Sequence, residues 1–161
     1  MKILMLAVGK VRGTLERSVR EFEERAARYW KLEIVEVAAG LKSGGDRDAT
    51  AVLAAEANRI AGRLPEEGEL WALTRVGKGM SSETFADELG TRALHGGPSI
   101  TFLIGGAFGL DPELQSTRVH RAISLSRMTL PHEMARLLLA EQLYRAGTIL
   151  RNEPYHKGGG R

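Results

Sequence analysis

Short apolar runs alternate with helical patterns along the whole chain. Five stretches of strand length are rich in apolar or β-branched residues: KILMLAV (2–8), KLEIVEVA (31–38), ELWALT (69–74), SITFLI (99–104) and RAISLS (121–126). Between them, apolar residues recur every three or four positions, which predicts amphipathic helices. Strands that alternate with helices favour a mainly parallel sheet with helices on both faces. The pattern therefore predicts an α/β fold.

Capping residues and prolines predict where the helices begin. The candidate N-caps are Thr14, Asp46 or Asp48, Ser81 or Ser82, and Asp111. Pro131 opens the last helix, whose apolar face is broad enough for burial on more than one side, as at a subunit interface. The polar, glycine-containing stretch RVGKGMSS (75–82) is predicted to be a loop.

Length and composition fit one domain over residues 1–161, with no linker or repeat inside it. The chain has 161 residues, of which 43% are hydrophobic, enough for a sizeable core. The first residues are too short an apolar run for a signal peptide, and no stretch approaches the roughly 20 apolar residues of a membrane span. The chain has no cysteine, which excludes disulfides and thiolate chemistry and suits a cytoplasmic protein.

The net charge of +3 is unevenly distributed. Residues 1–31 hold eight Lys or Arg against four Glu, and residues 118–161 hold eight against three. The middle segment, 32–117, holds seven basic and thirteen acidic residues. This pattern predicts a positive surface where the two ends meet, although ordinary solvated helix faces would give the same counts.

A glycine-rich turn, Gly105 to Gly109, follows the fourth predicted strand. Glycines let backbone groups approach a ligand with no Cβ between them. The spacing here is G-G-x-x-G, which differs from the dinucleotide pattern G-x-G-x-x-G, and no P-loop sequence is present. The turn indicates either one wall of a ligand site or only a tight connection between strand and helix.

The segment after the fifth strand carries hydroxyl and flexible side chains. Ser126, Arg127, Met128 and Thr129 suit a loop around a ligand with polar and apolar parts. His132 falls in the first turn of the last helix, where the helix dipole disfavours a protonated imidazole. A capping or packing role for this histidine is favoured over a catalytic one.

Two arginines on the last helix are further candidates. Arg136 and Arg145 are nine residues apart, two and a half helical turns, so they point to different faces. One of them is a candidate for binding a ligand's phosphate or carboxylate, and the other for a surface ion pair.

The tail NEPYHK (152–157) places an aromatic ring, an imidazole and an ammonium group together. Such a tail can stack on a base, exchange a proton and contact phosphate, or it can be a frayed terminus. The four histidines of the chain lack metal-ligand spacing, so no metal site is predicted. The serine-hydrolase sequence G-x-S-x-G is absent as well.

Taken together, these stretches resemble the SPOUT methyltransferases, and among them the RlmH family of 23S rRNA pseudouridine N3-methyltransferases. The resemblance covers essentially the whole chain. It rests on LAVGK (6–10), SSETFA (81–86), FLIGGAFGL (102–110), SLSRMTLPHEMARLLLAEQLYRA (124–146) and PYHK (154–157).

This resemblance implies a deep trefoil knot in the C-terminal part of the sheet and S-adenosylmethionine as the methyl donor. It also implies a homodimer in which the tail of one subunit completes the site of the other. The substrate would be N3 of a pseudouridine in 23S rRNA, presented by the assembled ribosome. Carried over to this chain, the donor-binding residues are Leu73, Gly106, Leu125, Ser126, Arg127, Met128, Thr129 and Leu130.

The PYHK tail leads to a hypothesis about the catalytic residues. N3 of pseudouridine must lose a proton, for which His156 is the candidate acceptor with Tyr155 as its stacking or hydrogen-bonding partner. Water taking the proton is the alternative. After Leu73 the family usually has Asp, whereas this chain has Thr74 and Arg75, so any side-chain role of that Asp does not carry over.

Two other functions remain open at this point. One is a non-enzymatic ribosome or RNA-binding factor with the same fold. The other is a related knotted methyltransferase that acts on tRNA, which the short length and the PYH tail make a weaker alternative.

Overall fold

The protein is described by a computed structural model over residues 1–41 and 48–155. A short 3-10 helix, Gly13–Leu15, precedes the first α-helix. The strands are β1 (Lys2–Val8), β2 (Lys31–Val37), β3 (Glu69–Gly79), β4 (Ile100–Ile104) and β5 (Arg121–Ser124). The helices are α1 (Glu16–Ala26), α2 (Ala49–Ala61), α3 (Ser82–Leu94), α4 (Pro112–Arg118) and α5 (His132–Leu150).

The five strands form one sheet in the order β2-β1-β4-β3-β5, and every neighbouring pair is parallel. The carboxyl ends of all strands therefore share one edge of the sheet, which is where ligands bind in open α/β folds. The predicted α/β class and the five predicted strands are confirmed.

Helices cover both faces of this sheet, as predicted. On one face, α1, α3 and α5 pack against a core that includes Trp71, Phe102 and Leu143, all fully buried. On the other face, α2 and α4 pack through Ile60 and Leu114. Among the described residues, no helix is long and apolar enough to cross a membrane.

Strand β3 is longer than the sequence predicts. The stretch RVGKG was expected in a loop, but β3 continues to Gly79 and pairs with β5 on both sides of an irregularity. Leu73 and Lys78 both pair with Ile123, so residues 74–77 leave the ladder between them. The local sequence is polar and flexible, and pairing with β5 nevertheless holds it in the sheet. We call residues 74–77 the β3 bulge.

Most predicted helix starts are correct. Side-chain caps form at Asp48, Ser81 and Asp111, where each side-chain oxygen accepts a hydrogen bond from a backbone N–H in the first turn. The cap predicted at Thr14 is wrong, because Thr14 lies within the 3-10 helix and α1 begins at Glu16 without a side-chain cap. Asp46 lies outside the described residues.

Candidate functional site

A cleft of about 610 Å³ opens at the carboxyl edge of the sheet. Three segments form most of its lining: Leu73 with much of the β3 bulge, the turn after β4, and the loop between β5 and α5. Its volume lies in the range of sites that enclose a small-molecule ligand, roughly 300–1,000 Å³. The cleft is therefore the candidate ligand site of this fold.

Seven of the eight residues predicted to bind the donor line this cleft. They are Leu73, Gly106, Leu125, Ser126, Met128, Thr129 and Leu130. The eighth, Arg127, is exposed and does not line the cleft, although it stands between two residues that do. The structure thus brings most of the predicted set together, and their role in binding a donor stays a prediction.

The turn after β4 forms a wall of bare backbone. A Cβ on Gly105 would lie 2.3 Å from the Gly109 carbonyl oxygen, so no other residue fits there. A Cβ on Gly106 would lie 2.9 Å from both carboxylate oxygens of Glu56. The backbone N–H of Gly109 donates to the Gly106 carbonyl oxygen at 3.1 Å and closes the turn, with Gly109 at φ +84°. Close packing therefore requires glycine at 105 and 106, and the positive φ favours glycine at 109.

The β3 bulge is held by an equally close contact. A Cβ on Gly77 would lie 2.5 Å from the carbonyl carbon of Ile123 in β5. Beside it, the hydroxyl of Ser124 donates to the Ser126 carbonyl oxygen at 2.9 Å and lies 3.3 Å from the Arg75 carbonyl oxygen. The bulge and the loop after β5 therefore form one connected unit.

The floor of the cleft is apolar and continuous with the core. Leu73 and Leu125 both line the cleft and pack against the larger core cluster. In the loop above them, the backbone N–H of Met128 donates to the Ser126 hydroxyl at 3.0 Å. An apolar floor under polar loops suits a ligand that combines an aromatic ring with hydrogen-bonding groups.

Two polar atoms at the cleft are buried without a hydrogen-bond partner among the described residues: the Thr74 hydroxyl and Nε2 of His132. Both residues line the cleft. The imidazole of His132 packs over Gly9 (φ +88°), where a Cβ would lie 3.0 Å from Nε2. Because buried polar atoms are normally paired, these two are available to a ligand. The sequence did not indicate Thr74 as a site residue.

Arg136, a candidate for ligand binding, is a structural residue instead. Its side chain is buried and donates to the carboxylates of Glu23, at 2.6 Å, and Glu36. Burial alone lowers the pKa of Arg136, but the hydrogen bonds to the two carboxylates outweigh it and hold that pKa above its ordinary value. This guanidinium joins α5 to α1 and β2.

Tyr155 packs against the middle of α5. Its hydroxyl donates to Glu141 at 3.1 Å, its ring lies 4.5 Å from that of Tyr144, and the Arg145 guanidinium lies 4.9 Å from its ring centre. Burial, followed by the charge of Glu141, raises the pKa of the Tyr155 hydroxyl. The group is therefore a neutral phenol that can donate a hydrogen bond, and Arg145 belongs to an ion pair with Glu141.

Of the two residues predicted to be catalytic, the structure describes Tyr155, which lies apart from the predicted donor-binding residues. Tyr155 does not line the cleft, whereas His132 at the start of α5 does. Glu141, the partner of Tyr155, lies nine residues further along α5, about 13 Å at 1.5 Å per residue. His156, the predicted proton acceptor, lies outside the described residues.

No metal centre is found in the parts of the chain that the structure covers, 1–41 and 48–155. They hold no group of three or more His, Asp or Glu side chains placed to bind a metal ion.

The fold and the cleft are typical of α/β proteins that bind a ligand at the carboxyl edge of a parallel sheet. A parallel sheet carries, at its carboxyl edge, a small-molecule site built from bare-backbone loops on an apolar floor. A solved structure titled "The structure of a probable methylase family protein from Haemophilus influenzae Rd KW20" shares this fold with a TM-score of 0.54 at 12% identity, covering 95% of this chain and 69% of that one.

Sequence comparison assigns the family. The profile described as "Predicted SPOUT methyltransferase" matches residues 1–156. A Gemmatimonas aurantiaca protein named "Ribosomal RNA large subunit methyltransferase H" is 42% identical over 158 residues, 98% of this chain and 100% of that protein. A Limosilactobacillus fermentum protein of the same name is 43% identical, with 98% and 100% coverage. The chain belongs to the SPOUT methyltransferase family of these relatives, as the sequence predicted. It is a methyltransferase whose methyl donor is of the S-adenosylmethionine type.

Proposed function

We propose that this protein transfers a methyl group from S-adenosylmethionine to N3 of a pseudouridine in 23S rRNA. It acts on the assembled ribosome in the cytoplasm, as a homodimer of single domains spanning residues 1–161. The observation that carries the proposal is the cleft in which seven predicted donor-binding residues meet. The shared name of the relatives supports ribosomal RNA as the substrate. The trefoil knot stays a prediction of the resemblance.

The cleft fits the chemistry of this donor. Leu73 and Leu125 offer apolar surface to the adenine ring, and the turn that contains Gly106 forms a wall beside it. The unpaired Thr74 hydroxyl and His132 Nε2 suit the hydroxyl, amino and carboxylate groups of the ribose and methionine parts. When bound, the donor supplies an electrophilic methyl group on sulfur, and the loops of this chain fix its orientation.

The acceptor is an imide nitrogen that carries a proton. Its lone pair forms the new N–C bond as the bond between sulfur and methyl carbon breaks, and its proton passes to His156 or to water. Holding the two reactants in line supplies up to roughly 7–11 kcal/mol of the acceleration. Tyr155 acts by stacking, or by donating a hydrogen bond to the substrate in place of the one its hydroxyl donates to Glu141.

A dimer is proposed because Tyr155, the last described residue, packs against α5 of its own chain and does not line the cleft. Its partner Glu141 lies six residues, about 9 Å, along α5 from Ala135, which lines the cleft. A tail contributed by a partner subunit would complete each site.

Subunit complementation tests this arrangement. One subunit carries Thr129→Trp, which fills the cleft from an exposed position, and the other carries Tyr155→Ala with His156→Ala. Each variant alone is expected to be inactive, while mixed dimers regain activity at one of their two sites. Mixed dimers as inactive as the parents would contradict the shared site.

Two measurements test the function itself. Calorimetry with S-adenosylmethionine is expected to show one site per chain, which Thr129→Trp abolishes; no heat of binding would favour the non-enzymatic RNA-binding factor. Transfer of labelled methyl to ribosomes isolated from cells lacking this protein is expected to exceed transfer to protein-free 23S rRNA. Labelling of tRNA instead would favour the tRNA methyltransferase.

A further inference from the structure

Three strongly exposed hydrophobic side chains converge on the cleft. Among the described residues, five large hydrophobics stand out as exposed, and Val76 (84%), Phe108 (46%) and Met128 (77%) all line the cleft. The other two, Leu94 and Leu150, do not line it. Single exposed hydrophobics are ordinary, but three from separate segments around one opening indicate a binding surface.

These side chains are carried by tightly fixed backbone. Val76 lies on the β3 bulge, which Gly77 holds against β5. Phe108 lies on the turn that the hydrogen bond from Gly109 to Gly106 closes. Met128 lies in the loop after β5, where its backbone N–H donates a hydrogen bond to the Ser126 hydroxyl. Side chains on pre-ordered backbone lose less conformational entropy on binding, so the surface is prepared for a partner.

Two arginines beside these side chains have no carboxylate partner among residues 1–41 and 48–155. Arg75 lines the cleft, and Arg127 is exposed between Ser126 and Met128. Neither forms an ion pair with a described carboxylate, which is also true of other exposed arginines such as Arg63 and Arg118. Guanidinium groups without a carboxylate partner can bind phosphates, and exposed apolar side chains can stack on flat bases. Single-stranded nucleic acid is the ligand that offers both groups.

We propose that this rim, made of Arg75, Val76, Phe108, Arg127 and Met128, holds the unstacked target nucleotide of the RNA substrate and its neighbouring phosphates. The ring of Phe108 stacks on the base, with Val76 and Met128 flanking it. Arg75 and Arg127 contact the phosphates, so the side chains of Arg127 and Met128, predicted to bind the donor, are assigned to the RNA instead. A base must leave its stack for a buried donor to reach a ring nitrogen, and the rim gives it an apolar surface at the mouth of the donor cleft. The inference rests on the proposed function, because it takes the substrate to be RNA.

The stacking role is tested with Phe108→Ala against Leu94→Ala. Leu94 is 85% exposed at the end of α3, just before β4 begins, so it lies at the opposite edge of the sheet. Phe108→Ala is expected to weaken binding to unmethylated ribosomes and raise their KM by between about 5-fold and 140-fold, the usual loss for one stacked base. The Kd of Phe108→Ala for S-adenosylmethionine is expected to equal that of the wild type. Phe108→Trp should restore ribosome binding. Leu94→Ala should change neither ribosome binding nor the Kd for S-adenosylmethionine.

Three results would overturn the stacking role. If Phe108→Ala binds ribosomes as well as Leu94→Ala does, Phe108 does not stack on the base. A raised Kd for S-adenosylmethionine with unchanged ribosome binding assigns the ring to the donor instead. A dimer-to-monomer shift on sedimentation of Phe108→Ala assigns it to a second copy of the chain.

The phosphate contacts are tested by salt dependence. Arg75→Ala and Arg127→Ala are each expected to reduce the slope of log K against log salt by about 0.7–1, while Arg63→Ala, exposed beyond the end of α2, leaves it unchanged. Slopes equal to that of the wild type would overturn the assignment. Ribosome binding is measured without donor, so a wild-type protein that binds but transfers no methyl group would refute the proposed function while still testing the rim.

Discussion

Gly77 and Ile123 are in such close contact that a Cβ on Gly77 would lie 2.5 Å from the carbonyl carbon of Ile123. This contact seats the β3 bulge against β5 and thereby sets the distance between two of the three segments that line the cleft. The shape of the proposed donor site therefore depends on Gly77 having no side chain, although Gly77 itself is not predicted to contact the ligand.

Gly77→Ala is expected to separate β3 from β5. Forcing a methyl group into a packed backbone contact costs about 1–3 kcal/mol of the free energy of unfolding. Binding of S-adenosylmethionine by the folded fraction should weaken with it. Gly79→Ala is the matched control, since a Cβ two residues further on meets nothing within 4 Å. Urea unfolding and calorimetry measure both effects, and normal donor binding by Gly77→Ala would show that the bulge does not shape the site.

Gly147→Ala and Gly90→Ala are expected to change stability in different directions, although both replace a helical glycine. A Cβ on Gly147 would lie 2.2 Å from the ring of Tyr29 at its attachment point, which cannot move without shifting the backbone. A Cβ on Gly90 would meet a terminal methyl group of Leu150, which is 43% exposed and free to turn away.

The gain in helix propensity, up to about 1 kcal/mol, is common to both substitutions. We expect Gly147→Ala to lose about 1–3 kcal/mol in thermal or urea unfolding and Gly90→Ala to be neutral or more stable. Equal destabilisation of the two variants would contradict this packing.

Arg136→Met is expected to reduce stability without changing the donor site. The substitution leaves the carboxylates of Glu23 and Glu36 without their shared partner. Breaking a buried ion pair costs about 3–5 kcal/mol, and the partial exposure of Glu36 places this one near the lower figure. Urea unfolding measures the loss, and calorimetry on the folded variant should give the wild-type Kd for S-adenosylmethionine. A selective loss of donor binding would restore Arg136 as a ligand residue.

Tyr29 makes the attachment of the C-terminal segment dependent on pH. Its hydroxyl donates to the Glu153 carboxylate, and this hydrogen bond is the main reason why its pKa rises from 10.0 to about 12. The folded pKa lies above the unfolded one, so the stabilisation is complete below pH 10 and is lost as pH rises through about 12.

The stability difference between wild type and Tyr29→Phe is therefore expected to be constant below pH 10 and to shrink above it. Urea unfolding at several alkaline pH values measures this difference. Glu153→Ala should behave in the same way, because it removes the acceptor of this hydrogen bond. A difference independent of pH up to about 12 would refute the hydrogen bond.

Local sequence was enough to predict the five strands and most helix starts. Each strand is a short apolar or alternating run, and each correct cap is a side chain that bonds to its own helix. The continuation of β3 through RVGKG was not predictable, because it depends on pairing with β5, about 45 residues later along the chain. Local propensity favoured a loop there, and a distant partner overrode it.

The site was predictable only in part. Leu73, Gly106 and the loop 125–130 followed from the resemblance, since the glycine turn alone allowed both a ligand wall and a simple connection. Val76 and Phe108 gave no signal, because one exposed hydrophobic residue in a loop is not distinguishable from ordinary surface. Arg136 was an ambiguous candidate because its partners Glu23 and Glu36 lie 113 and 100 residues away in sequence.

The most direct test of the central claim is mass spectrometry of 23S rRNA from cells that lack this protein. The account predicts that one methyl group is missing from one pseudouridine. The wild-type chain restores it, and the cleft-filling variant Thr129→Trp does not. An unchanged set of methylated pseudouridines in the deletion strain would contradict the proposed function.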